Sequence, residues 1–509
     1  MNKNVFTKTT LTSLFCVLLL TASACGGEAA PVSSSDNGTT AAREETAPAE
    51  TEAPLPPEYT APGHDYGGET VTIAAVDYYT NHNGGMWRAA DYCEVFTNGE
   101  NGDPINDAIY RRNQMLAENL NVNVELFSIS DFSKTSQEFR KPVMAGDDII
   151  DIGFVQARSL PSLLNGETLI DLHDLPGIDF SHTWWDQASL AELELYGKLQ
   201  AVTGDISLYI NYAPITYFFN KQIIANLDLE NPYTLVDSGK WTLPKAMEMS
   251  KAAANDLNGN GQMDVEDSFG MLMEPTSLGY TVSASGIRMT NKDKDGNPQL
   301  ALDLDRTTKL VDQFLPFMQD MDINILSENY SKDYDDVFAD LMLAMFIDNR
   351  GLFFNNQLLV ALNLRDMNAD FGILPPPKLD ETQNAYCVPI NDWWGTFTVV
   401  PKTNTKNEMT GDVLEAMGYY GQQYITPAFI ETTVTDKALR DNDSSRMLEI
   451  IFANRVYDLA VFYDWGGVNS MFSQMIYSKT DATKFVSTYT SLESKAAKAI
   501  EKAITQLKG

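Results

Sequence analysis

Histidine, cysteine and cationic side chains are scarce in this chain. It has 509 residues, of which four are His and four are Cys, and its 36 Lys and Arg face 70 Asp and Glu, a formal net charge of −34. Such numbers give no support for a multi-histidine metal centre or a disulfide scaffold. A nucleic-acid groove neutralises phosphates with clustered cations, so the acidic excess predicts that nucleic acid is not a partner.

Catalytic motifs are missing as well. The sequence has no Gly-x-Ser-x-Gly, no His-Glu-x-x-His and no P-loop, and none of its histidines stands in a nucleophile–base motif. Beyond the N-terminus, no uncharged apolar run approaches membrane-spanning length. The hydrophobic share of 44% still suffices for one large or two ordinary globular domains, which excludes a disordered or fibrous protein. We therefore expect a water-soluble folded body without enzymatic activity.

The first 24 residues have the three regions of a signal peptide. Lys3 and Lys8 precede an apolar stretch at 11–20, and the small residues 22–24 lead directly into Cys25. A cysteine in that position resembles a bacterial lipobox, although Ala22 stands where the pattern usually has Leu. We predict cleavage after residue 24, a lipid on Cys25 and a protein anchored at the outer face of the cytoplasmic membrane. An ordinary secretory signal cut nearby is the alternative.

A tether follows the cysteine. Residues 26–62 are mostly Ala, Ser, Thr, Glu, Pro and Gly, a composition that cannot bury a core. We predict that residues 25–66 comprise the lipidated cysteine and a disordered linker, with an r.m.s. reach of about 35 Å for roughly 40 flexible residues.

The folded body begins with an α/β pattern. Residues 70–75 and 122–127 predict strands, and 148–155 predicts a buried strand. Asp103 and Pro104 form a helix-start signal between the first two strands. A second helical pattern ends at Gly146, so the order strand, helix, strand, helix, strand predicts the beginning of a doubly wound parallel sheet.

Six short segments then carry a family resemblance. They are, in chain order, AGDDIID at 145–151, LIDL at 169–172, YGKL at 196–199, YFFNK at 217–221, SGKWT at 238–242 and FGILP at 371–375. In this order the chain from about residue 70 to 509 resembles the extracellular solute-binding proteins of family 1, the sugar-capturing subunits of ABC importers, and is similar to their lipoprotein forms in Gram-positive bacteria.

The resemblance implies an α/β periplasmic-binding-protein-like fold of type II, with two discontinuous lobes, a hinge and an interlobe cleft. Lobe one would hold residues 68–205 and 345–397, and lobe two residues 206–344 and 398–509. The crossings would fall near Gly204, Met345 and Gly395. It further implies a monomer that captures a carbohydrate, expected to be an oligosaccharide, closes on it and delivers it to ABC permease subunits.

Oxygen-bearing side chains recur at the spacing of a calcium loop between 256 and 267. Positions 1, 3, 5, 9 and 12 are oxygen donors, position 6 is Gly261, and position 7 would offer its backbone carbonyl. The predicted ligands are Asp256, Asn258, Asn260, Gln262, Asp264 and Asp267. Asp267 replaces the usual bidentate Glu, and the alternative is a polar Asn-Gly turn. By contrast, 291–297 lacks this spacing and predicts a hairpin turn.

Aromatic residues are the candidates for sugar contact, because sugar rings stack on Trp and Tyr while their hydroxyls need polar partners. The predicted ligand-binding residues are Tyr78, Tyr79, Trp87, Asp392, Trp393, Trp394, Asp464 and Trp465. Among them Trp393 and Trp465 are predicted stacking platforms, whereas Trp184, Trp185 and Trp241 are expected in the core.

Two other functions stay open. Asp392 and Asp464 could form the carboxylate pair of a secreted glycan-active enzyme, and the acidic charge would suit a binder of peptides or polyamines with the same fold. The remaining cysteines, Cys93 and Cys387, could pair outside the cell, although two unpaired thiols are the expected state.

Overall fold

A computed structural model describes residues 59–77, 92–130, 132–164, 166–364, 367–434 and 442–508. The predicted signal peptide, the lipid site at Cys25 and residues 26–58 of the predicted tether lie outside the described residues, as do Tyr78, Tyr79 and Trp87. Residues 59–66, predicted as the end of the disordered linker, instead contact the folded body, since the Tyr66 hydroxyl donates to the Asp412 carboxylate at 2.6 Å. Among the described residues no helix combines the length and apolarity needed to cross a membrane.

The strands and helices alternate along much of the chain. The strands are β1 (Glu69–Val76), β2 (Val122–Ile129), β3 (Ile152–Gln156), β4 (Ile215–Asn220), β5 (Phe269–Met273), β6 (Thr290–Lys292), β7 (Pro298–Leu300), β8 (Asn324–Leu326), β9 (Gly351–Gln357), β10 (Phe371–Leu374), β11 (Val388–Pro389), β12 (Thr396–Val399) and β13 (Arg455–Val456). The helices of the first half are α1 (Pro104–Leu120), α2 (Thr135–Ala145), α3 (Leu160–Leu163), α4 (Gln187–Leu193), α5 (Tyr209–Tyr212), α6 (Lys221–Asn226), α7 (Pro232–Asp237) and α8 (Leu243–Ala253).

The second half is richer in helix. Its helices are α9 (Ser277–Ala284), α10 (Leu304–Met318), α11 (Ala344–Ile347), α12 (Asn407–Tyr420), α13 (Thr426–Val434), α14 (Asn442–Ala453), α15 (Leu459–Tyr463), α16 (Ser470–Tyr477) and α17 (Phe485–Lys508). Short 3-10 turns and two π-helical stretches, Val337–Leu343 and Gly421–Ile425, join some of them.

The first sheet has the strand order β12-β3-β1-β2. β1 pairs in parallel with both β2 and β3, and β12 runs antiparallel to β3. The predicted strand–helix–strand–helix–strand order is confirmed. Asp103 caps α1 as its sequence indicates, since its carboxylate accepts hydrogen bonds from the backbone N–H of Ile105 and Asn106, each at 3.0 Å.

The second sheet has the order β10-β4-β9-β5-β8. β5 is parallel to β8 and β9, whereas β4 is antiparallel to β9 and β10. Together the two sheets and their covering helices form a two-lobed α/β fold. The hairpin predicted at 291–297 is also confirmed, because β6 and β7 pair antiparallel around it.

Sheet membership differs from the predicted lobes in β9 and β10, and at the end of β12, where residues 398 and 399, predicted in lobe two, pair with β3 of the first sheet. The prediction places residues 345–397 in lobe one, but β9 and β10 pair with β4 and β5 in the second sheet. Met345 is buried in α11, which leads directly into β9, so the chain stays with the second sheet there. The physical reason is strand pairing between segments that lie 82 to 157 residues apart in the chain, which local sequence does not reveal.

Two crossing segments, residues 203–214 and 390–395, connect the first sheet's region with the second. They lie side by side: Val202 bridges Thr398 and Pro214 bridges Ile390, both antiparallel. The backbone N–H of Asn391 donates to the carbonyl of Ala213 at 2.8 Å. The crossings predicted near Gly204 and Gly395 fall within these segments.

The large core aromatics lie where the sequence predicts them. Trp184, Trp185 and Trp241 are all buried. The indole N–H of Trp241 donates to the carbonyl of Pro375 at 2.9 Å, which satisfies its polar atom within the core.

Candidate functional site

A cavity of about 310 Å³ opens where the carboxyl ends of β3 and β5 approach each other. Open parallel sheets bind ligands outside the carboxyl ends of their strands, so this is the expected place for a cleft. Its lining comes from four parts of the chain. These are Arg158 after β3, Thr276 and Tyr280 after β5, Asp392 and Trp393 in the second crossing segment, and Asp464, Asn469 and Ser470 from the end of α15 to the start of α16.

Trp393 is the exposed aromatic of this cavity, with 45% of its surface accessible. The carboxamide oxygen of Asn391 accepts a hydrogen bond from its backbone N–H at 2.9 Å and so fixes the turn. Phe132 lies nearly parallel to the indole, with ring centroids 6.0 Å apart, and the guanidinium carbon of Arg158 is 3.3 Å from the indole centroid. The neighbouring Trp394 is buried and packs against Phe132 and Tyr209.

Asp392 brings a carboxylate next to this indole. Burial raises the pKa of Asp392 to about 6, although the positive charge of Arg158 opposes the rise. The Tyr280 hydroxyl donates to the carboxylate across 3.4 Å, a long hydrogen bond. The group is therefore mostly ionised at neutral pH and has acceptor capacity left for ligand hydroxyls.

Asp464 has a different role in the structure. Its backbone is left-handed, with φ at 43°, and its carboxylate accepts hydrogen bonds from the backbone N–H groups of Asn469 and Ser470, each at 2.9 Å. The hydroxyl of Ser470 donates to the same carboxylate. Asp464 thus caps the N-terminus of α16 while lining the cavity.

Trp465 lies in the core, with 4% of its surface accessible. Its ring stacks on Tyr463 with centroids 4.5 Å apart. The following Gly466 has φ at 70°, and a Cβ there would meet the backbone nitrogen of Ala496 in α17 at 2.5 Å. This close approach of α17 leaves Trp465 no open face, so a sugar could stack on it only after a rearrangement.

Several cavity residues were not among the sequence-based candidates. Arg158 comes three residues after the predicted strand 148–155, so the rule that favours strand ends could have found it. Thr276 and Tyr280 follow β5, a strand that the sequence pattern did not predict. Glu274, at the end of β5, is a further carboxyl beside this region, and burial together with Asp336 raises its pKa to about 7.

The predicted calcium loop forms a tight turn closed by its own side chains. The Asp256 carboxylate accepts from the backbone N–H groups of Gly259 at 2.6 Å and Gly261 at 2.8 Å. The Asp267 carboxylate accepts from those of Leu257 at 2.8 Å and Asp264 at 2.9 Å.

The other predicted ligands take part in the same turn. Asn258 and Asn260 accept from the backbone N–H groups of Asn260 and Gln262, at 3.0 and 2.7 Å. Such hard oxygens are the donors calcium prefers. Within the described ranges, however, no three His, Cys, Asp or Glu side chains are grouped so that they could hold a metal ion. Calcium binding therefore stays a prediction.

Cys93 and Cys387 are both unpaired thiols. Burial raises the pKa of each, to about 11 for Cys93, so neither thiol is ionised at neutral pH.

Comparison with solved structures identifies proteins of similar fold. No protein-family model and no curated protein matches the sequence. Solved structures do match: the maltose/maltodextrin-binding domain of Bdellovibrio bacteriovorus bound to maltotriose is 15% identical, with a TM-score of 0.50 over 86% of this chain and 100% of that one. UspC of Mycobacterium tuberculosis is 14% identical, with a TM-score of 0.55 over 84% and 100%.

A third similar structure is UgpB of M. tuberculosis in complex with glycerophosphocholine, 15% identical, with a TM-score of 0.52 over 79% of this chain and 98% of that one. Identities this low establish the fold alone. The chain therefore has the two-lobed α/β fold of these solute-binding proteins, and the family resemblance in its sequence is confirmed at the level of the fold.

Proposed function

We propose that this protein is the substrate-binding subunit of an ABC importer, anchored outside the cell, and that it captures an oligosaccharide by hinge closure. One observation carries the proposal: an exposed indole, Trp393, lies in the cavity beside a carboxylate, a guanidinium and a phenol, those of Asp392, Arg158 and Tyr280. The apolar C–H face of a sugar stacks on such an indole, and its hydroxyls bond to such polar groups.

The two connected lobes support the closure step. A ligand that bridges the cavity wall after β3 and the wall after β5, where Tyr280 lies, favours the closed state over the open one. The permease would then recognise the closed form. Among proteins of similar fold, one is a maltodextrin-binding domain with maltotriose bound, which supports a carbohydrate as the ligand class.

The anchor is the second part of the proposal. Cleavage before Cys25 and attachment of a diacylglycerol would hold the protein at the outer membrane face, because two acyl chains bind a bilayer far more stably than one. The tether would leave the folded body free to reach the permease. The protein would act as a monomer, with the permease as its partner.

The alternative functions differ in their support. A glycan-active enzyme would need two available carboxylates flanking the scissile bond, but Asp464 is engaged in capping α16. A peptide or polyamine ligand is the second candidate, favoured by the carboxyls of Asp392 and Glu274 near the cavity.

Calorimetry separates these functions. The purified protein is titrated with malto-, cello-, xylo- and manno-oligosaccharides and with spermidine and short cationic peptides, and each mixture is analysed for cleavage products. The proposal expects saturable binding of an oligosaccharide without products, and compaction in small-angle scattering. Products would make it an enzyme, and binding of only the cationic ligands would overturn the carbohydrate assignment.

Two variants test the site itself. Trp393→Ala should weaken sugar binding tenfold to a hundredfold, since the burial and stacking that it removes amount to about 1–3 kcal/mol. Trp393→Phe retains an aromatic face and is the matched control, with a smaller loss expected. Equal affinity of both variants and the wild type would remove Trp393 from the site.

A further inference from the structure

The face of Trp393 that a ligand would use already carries a side chain. The guanidinium carbon of Arg158 lies 3.3 Å from the indole centroid, which is van der Waals contact. Arg158 and Trp393 line the same cavity, so the guanidinium stands between the indole and an incoming ligand. A sugar ring cannot stack at the same position until the guanidinium has moved.

A second position for the guanidinium is close by. The backbone N–H of Arg158 donates to the carbonyl of Asp392 at 3.1 Å, which holds the two residues together. The positive charge of Arg158 acts on the Asp392 carboxylate, and the hydrogen bond that this carboxylate accepts from the Tyr280 hydroxyl is long, at 3.4 Å. A carboxylate can accept a guanidinium through two parallel hydrogen bonds, so Asp392 is a suitable partner for the displaced side chain.

We propose that Arg158 is a specificity-determining residue of the cleft, which covers Trp393 in the free protein and moves onto Asp392 when a ligand ring takes its place. The inference rests on the carbohydrate-binding function proposed above. A ligand that stacks well on the indole can displace the Arg158 guanidinium, whereas a solute without a flat apolar face leaves the guanidinium on Trp393. Breaking the cation–π interaction between Arg158 and Trp393 should lower the affinity for the ligand by a factor of about two to five.

The cover is tested first without any ligand. Acrylamide quenching of tryptophan fluorescence is measured for the wild type and Arg158→Ala, each with and without Trp393→Phe, so that the difference reports Trp393 alone. Arg158→Ala should increase quenching of Trp393. Arg446→Ala removes the same charge from an arginine paired with Asp237 on the surface and should leave quenching unchanged. Equal quenching of Trp393 in the wild type and Arg158→Ala would overturn the proposal.

Binding is tested next by calorimetry with maltotriose or, if it does not bind, the tightest oligosaccharide of the panel. Arg158→Ala should bind about two to five times more tightly than the wild type, because no cover has to be displaced. Asp392→Asn removes the carboxylate that would receive the displaced guanidinium, so it should weaken ligand binding when Arg158 is present. In the Arg158→Ala background the same substitution should weaken binding much less.

The outcomes distinguish this inference from the function on which it rests. If no oligosaccharide binds the wild type, the proposed function fails, and the quenching experiment alone decides whether Arg158 covers Trp393. If the wild type binds but Arg158→Ala binds equally or more weakly, Arg158 is not a displaceable cover, while the proposed function stands. An equal loss from Asp392→Asn in both backgrounds would show that Asp392 contacts the sugar directly and would overturn its role as the second position.

Discussion

Replacing Glu94 by Gln should stabilise the folded protein at pH 8 and change its stability little near pH 4.5. The Glu94 side chain is buried between the first crossing segment and the start of β12, with 3% of its surface accessible. Its carboxylate accepts hydrogen bonds from the hydroxyls of Ser207 and Thr396, each at 3.0 Å. These bonds and the charge of the buried Arg112 offset only part of the penalty of placing a negative charge there.

The magnitude follows from the pKa. Burial raises the pKa of Glu94 from its usual 4.5 to about 7. The folded state therefore holds the proton more tightly than the unfolded state does, so the stability from this group is full below pH 4.5 and is lost as the pH rises through 7. The loss amounts to about 3 kcal/mol, since each pKa unit corresponds to about 1.4 kcal/mol. Gln resembles the protonated carboxyl at every pH and avoids this loss.

The measurement is denaturant unfolding of the wild type and Glu94→Gln from pH 4 to 8.5. The difference in unfolding free energy should grow by about 3 kcal/mol in favour of Gln over this range, because other groups titrate alike in both proteins. Glu501→Gln, at an exposed glutamate of α17, is the control and should show no such trend. A difference that is independent of pH, or one that favours the wild type at high pH, would refute the reasoning.

Three further predictions concern the anchor, the loop and the core. Cys25→Ser should move the protein from the membrane fraction to the medium, and a variant still in the membrane would refute lipidation. We propose that the 256–267 loop binds calcium, so the melting temperature should rise with calcium and fall with a chelator, with about 2.7 kcal/mol of stabilisation at a hundred times Kd. Asp256→Ala with Asp264→Ala should abolish this response, whereas melting curves indifferent to calcium would leave the loop a plain turn. Trp465→Ala should cost about 3–5 kcal/mol of stability because the side chain is buried, and an unchanged denaturation midpoint would contradict its place in the core.

Local sequence predicts the first part of the fold well. The helix α1 begins at its Asp-Pro signal because a capping carboxylate and a proline act within one turn. The strands β1 and β2 follow from short-range sequence patterns, and they pair in parallel along their whole length. These features depend on neighbours in the chain, so periodicity and capping suffice to find them.

Lobe membership depends on distant neighbours instead. β9 contains a buried apolar run that would suit either sheet, yet it pairs with β4, which lies about 130 residues earlier. The residues of β9 do not indicate which strand it pairs with. The prediction from family resemblance therefore located the crossings near Gly204 and Gly395 but assigned the region between Met345 and β12 to the wrong sheet.

The two Asp-Trp motifs show the same limit at the candidate site. Asp392 and Trp393 precede β12, Asp464 and Trp465 precede α16, and a glycine follows closely in both, so local sequence predicts the same stacking role for the two tryptophans. In the structure Trp393 is 45% exposed and Trp465 only 4%. The difference arises from α17, which begins twenty residues after Trp465 and packs against the turn that holds it. Exposure of an aromatic ring is thus decided by tertiary packing, and of the two predicted platforms Trp393 lines the cavity, in contact with the Arg158 guanidinium, whereas Trp465 does not line it.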